Sequence, residues 1–484
     1  MITEQIIDIL NKEFGYEIKS EYYTHISEWA DWWKGYRKEF HEFHEKCNGR
    51  RIDRQLYSLR MAKKVCEDWA SILLNEKTQI NADDEKSKLW LVGDDKSNGF
   101  LQRIGFWVNA NRLVEKAFYS GTGAIVVGVD DMLIKNGNIA ADESAKIKYD
   151  YISAEGIIPL TVENGNITEA AFVSEKTIKS KSYAYVQIIT KSGGQYSIEN
   201  RMYLIEEGML KPVELPEGVL PNLTLNTDIP PFVIIEPNTE NTFAYSQGLG
   251  MSIYANAIDC LKGVDLAFNN FCRDFKLGGK KVFMAKSMLQ VDENGITITP
   301  DDVAQQLFAV TEDEMREDGQ AYIKEYNPEL RVTENKDGVQ SQLDYLSFKC
   351  GLGTKHYQFN GGNVVTATQY MGDKQELVQN AAKHYIIVEN ALITLMKHTL
   401  WVAKNICNAD VNPDCNVSIQ FEDSYIIDKE SERLRDLQEV NAGLMKKWEY
   451  RVKWYGDDEQ TAKAVLSESA PGGLSFNNDN TGDE

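Results

Sequence analysis

Residues 251–275 read MSIYANAIDCLKGVDLAFNNFCRDF. Tyr254, Leu261, Phe268 and Phe275 recur every seven positions, and Ala257, Val264 and Phe271 follow the first three at a spacing of three. That pattern predicts a helix of about 25 residues with an a/d-like apolar seam. Its opposite face carries Asn256, Asp259, Lys262, Asn269, Asn270 and Arg273. Gly278 and Gly279 come next and predict its end. A second run, Thr366 to Asn405, has the same habit. Met371, Val378, Tyr385 and Leu392 stand seven apart, with Ala381, Val388 and Leu395 between them. Apolar stripes mostly mean core, so the plain reading is two core helices of a large soluble protein. Two long helices about ninety residues apart, with a compact insert between them, also fit a shaft.

The 484 residues leave room for about three domains. Hydrophobic residues at 42% and charged residues at 26% mark a globular chain. A net charge of −22 speaks against a sequence-reading DNA binder, which shows a basic face. From charge alone it reads first as a solubilising surface, and it does not exclude a wall along which DNA slides without sticking. The seven cysteines are dispersed without a CxxC pair and predict reduced thiols in a cytoplasm. No apolar run approaches the roughly 20 residues that span a bilayer, and the amphipathic start MITEQIIDILNKEF is no targeting signal. An intracellular, soluble protein is expected.

Residues 1 to about 80 read as helical, with an aromatic cluster at Ile26, Trp29, Trp32, Trp33 and Tyr36, then a charged run from Lys38 to Arg54. Leu59, Val65, Cys66, Trp69, Ile72 and Leu73 share a helical face, as do Leu101, Ile104, Trp107, Val108, Leu113 and Phe118 in a helix over 98–120. After Gly121-Thr122-Gly123 the period changes to that of strands up to about residue 236, with hairpin turns at 136–137, 164–165 and 193–194. In the insert, KKVFMA and AYIKEYNP read as strands, LRVTE as strand-like, and ITPDDVAQQLF as a short helix capped near Thr299. Lys336 to Cys350 reads as a helix, NVSIQFED as a strand, and two charged helical stretches follow before a Gly-, Asn- and Asp-rich tail that predicts disorder.

Catalytic patterns are weak. His41-Glu42-Phe43-His44 spaces its histidines three apart, where a zinc helix needs four, so it reads as a solvated charged helix. The glycines of 121–123 precede their strand, the reverse of a dinucleotide loop. Gly351-Leu352-Gly353-Thr354-Lys355 lacks the spacing of a phosphate-binding loop. With six histidines and no GxSxG elbow, no catalytic residues, metal ligands or cofactor are expected, and a structural or assembly role gains weight.

Several segments, in order, resemble the portal proteins of tailed double-stranded DNA bacteriophages, in particular the long-tailed type of Gram-positive hosts. They are WADWWKGY (29–36), CEDWASILLNEK (66–77), FYSGTGAIVVGVD (118–130), PPFVIIEPN (230–238) and GLGMSIYANAIDCLKGVDLAFNNFCRDFKLGGKKVFM (248–284). GLGTKHYQF with VVTATQY (351–370), KHYIIVENAL (383–392) and EVNAGLM (439–445) complete the set. The resemblance implies an α+β portal fold assembled as a ring of about a dozen copies around a channel at one capsid vertex. It implies a β-containing wing (1–250, and 367–424 with the long helix), stem helices (251–276 and 336–350) and a small α/β clip (277–335). A tunnel loop (351–366), a helical crown (425–470) and a disordered tail (471–484) complete the division.

Carried onto this sequence, Lys262 and Arg273 of the stem, with Lys355, His356, Gln358, Asn360 and Asn363 of the loop, would meet passing DNA. The acidic clip residues Glu312, Asp313, Glu314, Glu317 and Asp318 would face the terminase large subunit or a head-completion adaptor. Major capsid and scaffolding proteins would be further partners. The protein would sit in the virion, and in the host cytoplasm during assembly, with no membrane. A shorter ring-forming head–tail adaptor and a nucleic-acid-processing enzyme are the alternatives. The first is disfavoured by length, the second by the lack of clustered acidic ligands or a nucleotide loop.

Overall fold

The computed structural model describes the chain except residues 1, 48, 95, 136–137, 217, 286–289, 292, 294–296, 299–307, 312–322, 359–366, 422–428, 458 and 469–484. The turn at 136–137, the helix capped near Thr299, most of the acidic clip stretch and the tail 471–484 therefore lie outside the described residues. The chain divides into two compact units, one of residues 1–361 with 376–421, the other of 362–375 with 422–484.

The first unit is α+β. It opens with α1 (Ile2–Phe14) and α2 (Tyr22–Lys34), followed by a hairpin of β1 (Glu42–Cys47) and β2 (Arg50–Gln55). The expected helical character of the charged run Lys38–Arg54 is thus wrong beyond a single turn, Lys38–His41. Helix α3 (Met61–Leu73) buries Val65, Cys66, Trp69 and Leu73 as the spacing predicts. Strand β3 (Gln79–Ala82) comes next, then α4 (Phe106–Ser120). A continuous helix over 98–120 does not form. Gly105 takes φ +62°, which glycine adopts without penalty, and this breaks the run between Phe100–Arg103 and α4. The restart rotates the buried face onto Phe106, Ala110, Leu113 and Val114 and leaves Val108 exposed.

Strands β4 (Gly123–Asp130) and β5 (Lys146–Ser153) lead into an antiparallel meander of β6 (Ile157–Glu163), β7 (Asn166–Ile178), β8 (Lys181–Ser192), β9 (Gln195–Glu206) and β10 (Met209–Val213). Strand β11 (Asn222–Leu225) pairs on β9. The turns read from sequence close two of these hairpins: Asn164 and Gly165 have φ of 50° and 80°, Gly193 and Gly194 58° and 81°. Two successive positive φ values match the right-handed strand twist. Strand β12 (Phe232–Ile235) pairs antiparallel with β4, which also pairs with β5.

Helix α5 spans Ile258–Leu277, shorter than the predicted run from Met251. Residues 251–257 bend into the core instead, ending in a 3-10 turn at Ala255–Ala257. Tyr254 Oη donates to Trp29 O (2.7 Å), and Ile253 N–H to Phe118 O (2.9 Å). In the seven-residue repeat Tyr254 is buried outside the helix, Leu261 is buried within it, and Phe275 is exposed. Beyond α5, β13 (Lys281–Ala285) pairs parallel with β14 (Phe308–Thr311) and antiparallel with β15 (Ile323–Tyr326). The strand-like reading of LRVTE fails, because α6 (Val332–Lys349) already starts there. Arg331 explains the start: its guanidinium holds Asp274 near the end of α5 through bonds of 2.7 and 3.1 Å.

Helix α7 (Ala367–Asn405) buries Ala381, Val388, Leu392 and Leu395 as the period predicts. By length and composition its 374–405 stretch is apolar enough to cross a bilayer, contrary to the expectation that no such run exists. A buried core helix passes the same test, and this one is buried along that stripe. His384 lies edge-on to Trp69 and Phe118 (ring centroids 4.7 and 5.2 Å) and accepts the Asn238 N–H at Nδ1 (2.9 Å). Strand β16 (Val417–Gln420) pairs with β3. In the second unit, α8 (Lys429–Asn441), α9 (Lys447–Tyr455) and α10 (Glu459–Glu468) follow. The sequence reading had two helices there; α9 is the addition.

Burial pulls His384 down to about 3 and His398 to about 4, from an ordinary value of 6.5. The unfolded chain therefore binds these protons more readily, so the stability they contribute is complete above pH 6.5 and is lost as pH falls through those values. Burial acts oppositely on Glu236, raised to about 7 from 4.5, so its contribution is complete below pH 4.5 and is lost as pH rises through 7. Thermal melts from pH 4 to 9 should show maximum stability near neutrality. Glu236→Gln should raise the midpoint at pH 8 and leave it unchanged at pH 4.5.

Candidate functional site

Helices α5 and α6 run antiparallel: Arg331 reaches Asp274 at one end, and Gly263 faces Gln342 further along. The polar face predicted for α5 is not left open along its length. Residues 41–47 and 49–60 form a strap that meets it through His41, Glu45, Tyr57 and Leu59. Asp265, only 4% exposed, accepts the Leu59 N–H (2.7 Å) and faces His41 Nε2 (3.1 Å). Asn269 accepts the Tyr57 N–H (3.2 Å). On its other side, His41 Nδ1 lies against the Arg37 backbone, 2.9 Å from its nitrogen and 3.0 Å from its carbonyl oxygen. The rings of Trp32 and Tyr36, with centroids 5.5 and 5.6 Å away, flank a fully buried His41.

His41 was read from sequence as part of a solvated charged helix, and that reading is wrong. Its partner lies 224 residues away, beyond any local pattern. One signal was present: Asp265 stands between Leu261 and Val264 and the next turn of the seam, where a lone acid needs a buried donor.

Of the expected DNA-facing residues, Lys262 is half-exposed and pairs with Asp259 (2.9 Å), and Arg273 lies 3.8 Å from Glu45 of β1. Lys355 and Gln358 are exposed. His356 is more enclosed, with Nε2 3.3 Å from Asp68 Oδ2, and Tyr357 Oη donates to the same oxygen (2.9 Å). Burial opposes the ionised form of Asp68, yet bonds from His356, Lys64 and Tyr357 hold its pKa below the usual carboxylate range. Gln340 Nε2 donates to Tyr357 O (2.7 Å), Trp69 Nε1 to Cys350 O (3.0 Å), and Asn380 Nδ2 to Gly351 O (3.0 Å). The start of the expected tunnel loop, 350–357, is therefore fixed on α3, α6 and α7. Asn360, Asn363, Glu312, Asp313, Glu314, Glu317 and Asp318 lie outside the described residues. Arg273 is brought beside the strap, and His356 beside α3. Among the described residues no group of three or more histidine, cysteine or carboxylate side chains could hold a metal ion.

The sequence profile of one protein family, described as phage portal protein, SPP1 Gp6-like, matches residues 13–451. Comparison with curated proteins gives no match.

Asp265→Ala removes the acceptor of two buried donors and should cost about 2–3 kcal/mol in urea unfolding. Lys262→Ala, which removes only a solvent-screened pair, should change stability by less than about 0.5 kcal/mol in the same assay.

Proposed function

The chain belongs to the family of SPP1 Gp6-like phage portal proteins, and we propose that it works as a closed ring of about a dozen identical subunits around a channel for double-stranded DNA. A portal protein acts at a capsid vertex in packaging of the DNA genome. In our reading α5 and α6 are the stem, and β13, β14 and β15 with the segments between them the clip. The sheets of β4–β12 and helix α7 belong to the wing, and α8, α9 and α10 to the crown. Lys262, Arg273, Lys355, His356 and Gln358, with Asn360 and Asn363, border the path of DNA. The acidic clip residues Glu312 to Asp318 face the terminase or, later, the head-completion adaptor. Capsid and scaffolding proteins bind the rest of the ring from the head side. The subunit is non-enzymatic, and ATP hydrolysis belongs to the terminase. Assembly takes place in the host cytoplasm.

The observation that supports a ring is the unfinished seam. Leu261 and Val264 are buried within one chain, whereas Phe275 is 50% exposed and Phe268 and Phe271 are half-buried. On α6, Tyr345 and Phe348 are 63% and 51% exposed. Large apolar side chains exposed on two packed helices are surface that a neighbouring copy would cover.

Negative-stain electron microscopy and solution mass of the purified chain should show closed rings with a central channel, and Phe275→Asp should reduce them to smaller species. The chain alone should show no ATP turnover. Compact monomers at every concentration, even with capsid and scaffold present, would overturn the ring. Robust ATP hydrolysis would overturn the non-enzymatic reading.

A further inference from the structure

The two flanks of α5 carry different material. The strap lies against Asp265, Asn269 and Arg273, and α6 lies against Gly263 and Asp274. At 100° per residue the two groups are centred about 130° apart around the helix. Within the strap, β1 and β2 make a two-stranded ribbon, and among the described residues neither pairs with a third strand. In β2 every residue but Ile52 is exposed. An isolated ribbon is marginally stable in water, and open strand edges invite a partner. Here the ribbon is held in place at its base, by His41 and Leu59 on Asp265 and by Tyr57 on Asn269. Its far end is basic, with exposed Lys46 and Arg50 and with Arg51, whose Nε pairs with Asp53 (3.1 Å), in a chain of net charge −22. The exposed arc of α6 presents the complementary chemistry: Glu334 and Asp337 in its first turns and, two turns or more further along the same arc, the rings of Tyr345 and Phe348.

We propose that the ribbon is a clasp between subunits, its basic end docking on the acidic and aromatic arc of α6 in the next copy of this chain. The proposal rests on the ring reading above. Head-to-tail repetition about a closed axis sets one flank of a subunit against the opposite flank of its neighbour, so strap meets α6 at every interface. Guanidinium groups suit such a surface twice over, bonding carboxylates through paired N–H groups and lying over aromatic rings. The clasp explains why an otherwise acidic chain concentrates positive charge at the end of its least supported strands.

Charge reversal tests it in the full-length chain, read by native mass and sedimentation across a concentration series. Arg50→Glu with Arg51→Glu, and separately Glu334→Lys with Asp337→Lys, should each raise the concentration at which rings half-form by about tenfold. Combining all four substitutions should bring it back towards wild type. Far-ultraviolet circular dichroism and thermal melts establish that each variant folds, and Arg50→Gln with Arg51→Gln, expected to shift assembly less, serves if the reversal unfolds. Rings unchanged in both reversed variants would overturn the clasp and leave the ring reading standing. Weakening by only one of the two, or no recovery in the combination, would likewise overturn it. A wild-type chain that never assembles would remove the ring reading and the clasp together.

Discussion

The structure depends on one junction, where the chain leaves the sheets and enters α5. Gly121, at φ +87°, approaches Gly250 so closely that a β-carbon there would lie 2.1 Å from the Gly250 carbonyl oxygen. Gly250 in turn donates its N–H to Thr122 Oγ1 (2.9 Å), and its carbonyl accepts from Tyr22 Oη (2.7 Å). Four residues on, Tyr254 is fully buried and reaches back to Trp29. Helices α2 and α4, strand β4 and the root of α5 are therefore tied at one point. Any load along α5 passes into a close-packed core, not a flexible hinge. Trp69 extends the same junction to the end of α6 through Cys350, and His384 extends it to α7.

Much of this was legible because it is periodic or turn-coded. The apolar faces of α3 and α7 follow the helical period, and Asn164-Gly165 and Gly193-Gly194 name their hairpins through the positive φ those residues tolerate. The family too was legible, from ordered segments spread along the chain. Non-local pairing was not. His41 and Asp265 look like two ordinary charges in two charged stretches, and only the folded chain joins them. Residues 251–257 deceived in another way, since burial every seventh residue fits a helix and fits equally a bent segment whose side chains point into one core. Gly105 shows the third limit. One left-handed residue re-phases everything after it, and no count of apolar positions across the break can recover the face.

In a single chain α5 and α6 leave large apolar side chains uncovered. The end of α5 near the junction is buried by its own subunit, and the far end displays Phe275 and Leu277 to solvent. Burying one such side chain is worth on the order of 2 kcal/mol. Repeated at every interface of a ring, that gain is cooperative, because a closed ring leaves no interface unmade. In the proposed ring one helix would thus carry two tasks: folding the subunit at the root, and joining subunits beyond it.

Electrostatics complete the argument for a conduit. The basic side chains placed nearest the proposed path are not isolated. Lys262 has Asp259 beside it, Arg273 has Glu45, and His356 shares Asp68 with Lys64. A phosphate that approaches any of them must compete with a carboxylate already at contact distance. Each contact with the polyanion then releases little net energy, and the salt-dependent attraction that anchors ordinary DNA-binding proteins is weakened at every site. Over a surface of net charge −22 the long-range field adds repulsion to this local neutralisation. If the proposed path is the one DNA takes, a genome beside such a wall would be confined by geometry and not by affinity, the condition under which it could be driven inward and later released through the same opening.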